Sequence, residues 1–210
     1  AAAMTGLRRR QLAKSELLTD KILKQFDENG YFLIHNFLPQ EQFKKLKSEV
    51  LQNNFAAREM RQGQTVTRMT PMGISTLKKF PAIHEFYSNS LLKALFFYAA
   101  SWKGSPINFI ETVLADIDNP KPDPQTELHE DTFHSSAKFW FYLHDVEADD
   151  GPLQFVPGSH KATPERMQWE YENSLSVSSS DKAHHAYGSF RITAEQLGKL
   201  GYAQPDKIIV

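Results

Sequence analysis

The sequence contains no cysteine, which excludes a disulfide framework, a thiolate metal site and a cysteine nucleophile. A bound metal would need imidazole and carboxylate ligands, which suit iron, manganese or zinc. No apolar run approaches the roughly 20 residues that a transmembrane helix needs. There is also no pattern of a secretory signal, because Arg8, Arg9 and Arg10 lead into a polar segment. We therefore expect a cytoplasmic protein without a membrane partner.

The sequence has no excess of charge of either sign. It carries 24 basic and 25 acidic residues, which gives a formal net charge of -1. No overall field favours nucleic acid or an anionic surface, so a small-molecule substrate is expected. The 210 residues suffice for a continuous hydrophobic core. We expect one domain over residues 1–210.

The first half of the sequence shows mainly helical spacing of its apolar residues. One helix should end at Gly30, a second should begin at Pro39, and residues 81–102 should form one or two more. Residues 31–37 read as a short buried strand. Residues 55–72 are polar and mixed, and we expect a surface loop there, with a segment across the mouth of a pocket as the alternative.

The second half is expected to be rich in strands. The segments that predict extended structure are bounded by Gly, Pro, Asp or Ser. They are residues 107–117, 136–146, 153–156, 188–192 and 207–210. An all-helical first half followed by several short strands favours helices packed on a β-sandwich or barrel.

A possible metal site lies in the central stretch, residues 125–161. His129 and Asp131 are two residues apart, so on an extended segment both side chains lie on the same face. They are two of the three ligands in a facial triad of two histidines and one carboxylate, which leaves open positions on non-haem Fe(II). Taken alone, the same triplet also fits a histidine and an aspartate on an exposed strand edge.

Four neighbouring motifs favour the metal site over the exposed strand edge. They are residues 129–133 (HEDTF), 138–143 (KFWFYL), 149–152 (DDGP) and 156–161 (VPGSHK). Together they resemble the phytanoyl-CoA dioxygenase family, and residues 29–34 and 188–192 extend the resemblance more weakly. The resemblance implies an α+β protein with a mainly β core, a double-stranded β-helix (a cupin-like jelly roll) with amino-terminal flanking helices. It also implies hydroxylation of a small molecule with Fe(II), 2-oxoglutarate and dioxygen, and with succinate and CO2 as co-products.

The resemblance also assigns roles to single residues. His129 and Asp131 match the iron ligands, and Trp140 matches a tryptophan beside the 2-oxoglutarate. Strand alternation places Lys138 on the face of Trp140, where its charge could pair with a carboxylate of the co-substrate or reach towards solvent. His160 is expected to serve a tight turn rather than a metal, because the preceding proline and glycine already indicate that turn.

The family also has a second histidine and a later arginine, and neither is evident in this sequence. We expect that the jelly roll is incomplete at its carboxy terminus and lacks its last strands. Alternatively, His184 or His185 is the distal ligand and Arg191 contacts 2-oxoglutarate. Both histidines also fit an ordinary polar loop.

Two further function classes stay open at this point. One is a non-catalytic or truncated jelly-roll relative that acts as a binding module. The other is a cupin-like zinc or manganese enzyme that uses no 2-oxoglutarate. The sequence does not indicate the prime substrate.

Overall fold

The computed structural model describes residues 2–116, 118–132, 136–176 and 189–210. Within it the chain divides into two compact units, which are described separately here. The first unit comprises Ala1–Leu33, Ala94–Lys103 and Glu127–Val210, and the second comprises Ile34–Lys93 and Gly104–Thr126.

Helices account for most of the regular structure. The α-helices among the described residues are α1 (Ala2–Leu12), α2 (Asp20–Asn29), α3 (Gln40–Leu51), α4 (Ile74–Leu77), α5 (Pro81–Ser88), α6 (Ser90–Ala100), α7 (Pro164–Ser176) and α8 (Ala194–Lys199). A 3-10 turn covers Pro124–Thr126. The strands are β1 (Arg58–Gln62), β2 (Thr65–Pro71), β3 (Phe109–Ala115), β4 (Gln154–Phe155) and β5 (Asp206–Lys207). Within the described residues, no helix combines the length and hydropathy needed to cross a bilayer.

The helix boundaries expected in the first half are confirmed. Helix α2 begins after Thr19, whose hydroxyl accepts a hydrogen bond from the amide of Ile22. It ends at Gly30, which has a φ of 89° and donates its N–H to the carbonyl of Phe26. Helix α3 follows Pro39, and residues 81–102 contain α5 and α6. Caps and proline positions set these boundaries locally, which is why the sequence predicts them.

Gly30 is a position where an added methyl group should destabilise the protein. A Cβ built there would lie 2.7 Å from Cγ of His160, and the left-handed backbone also disfavours a side chain. We expect Gly30→Ala to lower the free energy of unfolding by about 2 to 4 kcal/mol in chemical denaturation. Gly198→Ala is the matched control, because it adds a methyl group inside α8 with no atom within 4 Å. That change should be neutral or slightly stabilising, and equal losses in both variants would contradict this account.

The second unit contains an antiparallel sheet in the order β1-β2-β3. The expectation of a loop over residues 55–72 was therefore wrong, because β1 and β2 form a hairpin there that turns at Gly63. Arg68 lies 2.9 Å from Glu59 on the partner strand. Strand β1 is exposed at all but one of its residues, so the usual alternation of apolar and polar residues is weak there. The strand expected within residues 107–117 is confirmed as β3.

Helices α3 and α5 pack together in the same unit. Ile83 and Leu46 are 1% and 3% exposed, so both are buried. The carboxylate of Glu49 on α3 accepts a hydrogen bond of 2.7 Å from the amide of Ile83, in the first turn of α5. This side chain satisfies an amide that the helix itself leaves unpaired.

The first unit contains an aromatic cluster beside α2. Phe26 stacks on Phe32 with 4.9 Å between ring centroids and meets Tyr98 edge-on at 5.5 Å. The hydroxyl of Tyr98 donates to Asp27 over 2.8 Å. The strand predicted over residues 31–37 is not found in the described structure. The Phe32 side chain of this segment packs in the aromatic cluster instead.

The described residues form no closed barrel, so the expected jelly roll is not seen. Strands β4 and β5 pair over two residues each, and the amide of Val146 donates to the carbonyl of Val210 over 2.7 Å. Residues 136–145 are not part of a strand in the described structure. Helices α7 and α8 occupy part of the half that was expected to be strands. The described fold mixes helices with two small antiparallel sheets.

Candidate functional site

The candidate ligands lie on an extended piece of the first unit, residues 128–131, which we call the ligand segment. It pairs with residues 189–192 in antiparallel fashion, with His129 opposite Arg191. Two hydrogen bonds hold this pairing. The Glu130 amide donates to the Phe190 carbonyl over 3.1 Å, and the Ile192 amide donates to the Leu128 carbonyl over 2.9 Å.

The two candidate ligands lie side by side, with the His129 ring facing the Asp131 carboxylate. Nε2 of His129 lies 3.5 Å from Oδ1 of Asp131. Nδ1 of the same ring lies 2.6 Å from the carbonyl oxygen of Glu127, which can only accept, so Nδ1 carries the proton. A backbone carbonyl that fixes the tautomer in this way is typical of histidines that bind metals.

Lys138 and Trp140 extend the same cluster. The Nζ atom of Lys138 lies 2.6 Å from Oδ2 of Asp131 and 5.9 Å from the centre of the Trp140 ring. Contact with the His129 ring, and then with the Lys138 ammonium, holds the pKa of the Asp131 carboxyl well below its usual range. The carboxylate is therefore ionised at neutral pH, as a cation ligand must be. The structure therefore places the two expected iron ligands, His129 and Asp131, in one cluster with the two expected contacts of the co-substrate, Lys138 and Trp140.

Glu130 faces away from this cluster, as the alternation of side chains along an extended segment requires. Its Oε2 lies 2.8 Å from Nη2 of Arg166 on α7, and Nε of Arg166 lies 2.7 Å from Oε1 of Glu170. Burial, together with the charge of Glu170, raises the pKa of Glu130 to about 7. Sequence reasoning missed this group. The signal was present, because a carboxylate between two ligands on a strand must face inwards and needs a cation there.

The tight turn expected at residues 158–160 is confirmed. Gly158 has a φ of 79°, and the amide of Ser159 donates to the carbonyl of Val156 over 3.1 Å. The ring of His160 packs against Phe26, with 5.4 Å between ring centroids. Burial, and then the charge of Arg9, lowers the pKa of His160 to about 4. His160 is a neutral packing residue in this position.

Arg191 is held beside the ligand segment. Its Nη1 donates to the hydroxyl of Ser189 over 2.6 Å, and its Nε lies 3.6 Å from a carboxylate oxygen of Glu127. Its side chain is 11% exposed. A guanidinium therefore lies on the extended segment directly opposite His129.

The chemistry of the donors fits a ferrous ion, but the set of donors is incomplete. Imidazole nitrogen and carboxylate oxygen are the ligands of non-haem iron sites. Within the described ranges, no group of three or more His, Asp or Glu side chains is placed to hold a metal. His184 and His185, the distal candidates, lie outside the described residues. The described part of the chain thus supplies two donors.

Comparison with known proteins gives a family but no individual relative. The sequence model of the phytanoyl-CoA dioxygenase (PhyH) family matches residues 26–193, which is well over half of the chain and includes the whole ligand segment. Searches of the curated proteins and of the solved structures found no match. The matched range also includes the turn at residues 158–160 and Arg191. The chain therefore belongs to the phytanoyl-CoA dioxygenase family of Fe(II)- and 2-oxoglutarate-dependent oxygenases.

Proposed function

We propose that this protein is an Fe(II)- and 2-oxoglutarate-dependent dioxygenase that hydroxylates a small-molecule substrate. The observation that carries the proposal is the convergence of His129 Nε2 and Asp131 Oδ1 at 3.5 Å within a family-matched segment. The Asp131 carboxylate, whose pKa is held below its usual range by the His129 ring, is ionised as a metal ligand must be.

His129 and Asp131 would hold the iron as two of its protein ligands. With 2-oxoglutarate, bound iron supplies the oxidation, in which dioxygen is consumed, succinate and CO2 form and a substrate C–H bond is hydroxylated. The chain contributes the orientation of the ligands. The carbonyl of Glu127 holds the His129 ring, and pairing with residues 189–192 holds the backbone that carries both donors. We propose that the third ligand is a second histidine outside the described residues, such as His184 or His185.

Lys138, Trp140 and Arg191 are the proposed contacts for 2-oxoglutarate. The dicarboxylate needs cationic partners, and Lys138 and Arg191 place two cations around the ligand segment. Without a metal, the ammonium of Lys138 pairs with Asp131. A divalent cation on that carboxylate would repel the ammonium and free it for another anion. The ring of Trp140 offers a flat apolar surface that is 44% exposed, against which a small ligand can lie.

We expect Lys138→Met to raise the KM for 2-oxoglutarate by about tenfold with a smaller change in kcat. The reason is the loss of one charge-assisted hydrogen bond. Its free-energy contribution is placed at the low end of the usual range, because the Lys138 side chain is 56% exposed. Steady-state kinetics with varied 2-oxoglutarate measure this, and Lys138→Arg should retain most of the affinity. An unchanged KM would show that Lys138 serves only as the counter-ion of Asp131.

A second candidate function is a non-catalytic binding module of the same family. It is favoured by the presence of only two converging donors among the described residues, since such a pair holds a metal weakly. This candidate predicts that the site around His129 and Asp131 binds a small carboxylate without converting it.

Succinate formation separates the two candidates. The protein is incubated with Fe(II), 2-oxoglutarate, ascorbate and dioxygen, and succinate is quantified with and without metal. The dioxygenase should form succinate slowly even without its prime substrate, and a chelator should stop this. A protein that binds 2-oxoglutarate but never forms succinate would support the binding module instead.

A further inference from the structure

Helix α7 supports the ligand segment from the side opposite to the two donors. Arg166 and Trp169 are three residues apart on this helix, so they lie on one face. Arg166 contacts Glu130 of the ligand segment, and Trp169 contacts Phe190 of the paired segment edge-on, with 5.9 Å between ring centroids. Phe190 is 0% exposed. One helix face thus meets both extended segments.

The guanidinium of Arg166 is the centre of this support. It bonds Glu130 through Nη2, Glu170 through Nε and the carbonyl of Ser159 through Nη1. The side chains of Arg166, Glu130 and Glu170 are 21%, 14% and 14% exposed, so the network is largely withdrawn from water. Charge-assisted hydrogen bonds made by a planar guanidinium fix direction as well as distance. Three separate stretches of the chain are therefore joined at one side chain.

We propose that Arg166 is a positioning residue, which holds Glu130 and thereby sets the direction in which His129 and Asp131 project from the opposite face of the ligand segment. The inference rests on the proposed function, because it assigns those two residues as metal ligands. Arg166 itself touches neither donor. Its effect passes through the backbone of the ligand segment, since a rotation that releases Glu130 also turns its two neighbours. Outer residues that orient ligands in this way affect metal affinity strongly.

Hydrogen exchange tests the positioning without any metal. The amides of Glu130 and Ile192 are bonded across the pair of segments, so their exchange reports how firmly the ligand segment is held. In Arg166→Met, protection of both amides should fall at least about tenfold, because two close carboxylates lose their shared cation. The Leu197 amide of α8 donates to the carbonyl of Thr193, the residue that precedes this helix, and its protection should change little.

Metal affinity then separates positioning from general stability. Calorimetry with Co(II), an air-stable substitute for Fe(II), should show weakening of about 10- to 100-fold in Arg166→Met, measured well below the melting temperature of each variant. The Co(II) affinity of Arg166→Lys should lie between those of the unmutated protein and Arg166→Met. Lysine keeps the positive charge but lacks the planar guanidinium that bonds several partners at once. Glu172→Gln is the matched control on α7, since it removes the charge of an exposed side chain whose hydrogen bond is with Gln168.

A double variant separates the loss of metal affinity from the loss of stability. Glu130→Gln combined with Arg166→Met removes one of the two unpaired carboxylates, so the melting temperature should recover by several degrees relative to Arg166→Met. Co(II) affinity should stay low, because the link from α7 to the ligand segment is still missing. Recovery of affinity together with stability would overturn the proposal, as would an unchanged affinity or unchanged protection in Arg166→Met.

Co(II) binding and hydrogen exchange together distinguish a failure of the proposed function from a failure of the role proposed for Arg166. If the unmutated protein binds no Co(II), the assigned ligands and hence the proposed function are contradicted. The exchange of the Glu130 and Ile192 amides then decides alone whether Arg166 holds the segment. Reduced protection would support that role, and unchanged protection would overturn it.

Discussion

Replacing His129 by alanine is expected to lower Fe(II)-dependent succinate formation by more than about 100-fold. The ring offers one of the two donors that converge at 3.5 Å, and its Nδ1 proton is already committed to the Glu127 carbonyl. Replacing a residue that only orients a ligand costs about 10- to 100-fold in metal affinity or activity, so removing the ligand itself should cost at least the upper figure. Asp131→Ala should have a similar effect. Succinate quantified over a fixed time, at saturating 2-oxoglutarate, measures the loss.

His84→Ala is the matched control for this prediction. It makes the same chemical change at an exposed histidine of α5, which belongs to the second unit, whereas the ligand segment belongs to the first. The control should keep full activity and the same circular dichroism spectrum as the unmutated protein. If His129→Ala were as active as His84→Ala, the assignment of the ligand would be wrong.

Replacing Phe190 by alanine is expected to destabilise the protein by about 3 to 5 kcal/mol. The side chain is 0% exposed and packs edge-on against Trp169, while its carbonyl accepts the Glu130 amide. Its removal leaves a cavity between α7 and the paired segments that rigid neighbours fill only in part. For a chain of this length the loss corresponds to a fall in melting temperature of roughly 6 to 20 °C. Thermal unfolding followed by circular dichroism, with chemical denaturation for the free energy, gives both values.

Phe109→Ala provides the comparison at an exposed position. The Phe109 side chain is 39% exposed at the start of β3, so its removal should cost less than about 1 kcal/mol. Similar losses in the two variants would contradict the burial that the structure assigns to Phe190.

The local features of the fold were the predictable ones. The stop of α2 at Gly30, the start of α3 after Pro39 and the turn at residues 158–160 each depend on a few neighbouring residues whose backbone preferences are strong. Strands depend on distant partners, and these were predicted less well. Residues 136–145 have the composition of a strand but are not part of one in the described structure, and the polar sequence of the β1–β2 hairpin predicts a loop although the segment forms two strands.

The residues of the candidate site could be predicted from the sequence, and the contacts that α7 makes behind them could not. His129, Asp131, Lys138 and Trp140 follow from a period of two residues and a family resemblance, and the structure brings them together. The partner of Glu130 lies 36 residues further along the chain, on a helix that the sequence analysis did not predict. Spacing along one segment indicates which side chains share a face, but it cannot indicate which helix packs behind them.

Anaerobic titration of the unmutated protein with Fe(II) and then 2-oxoglutarate tests the central claim most directly. Chelation of iron by 2-oxoglutarate in an oxygenase site gives a weak visible charge-transfer band that neither component gives alone. The present account predicts that this band appears only when protein, Fe(II) and 2-oxoglutarate are all present, and that it disappears in His129→Ala while His84→Ala retains it. Absence of the band in the folded, unmutated protein, or an undiminished band in His129→Ala, would contradict the account.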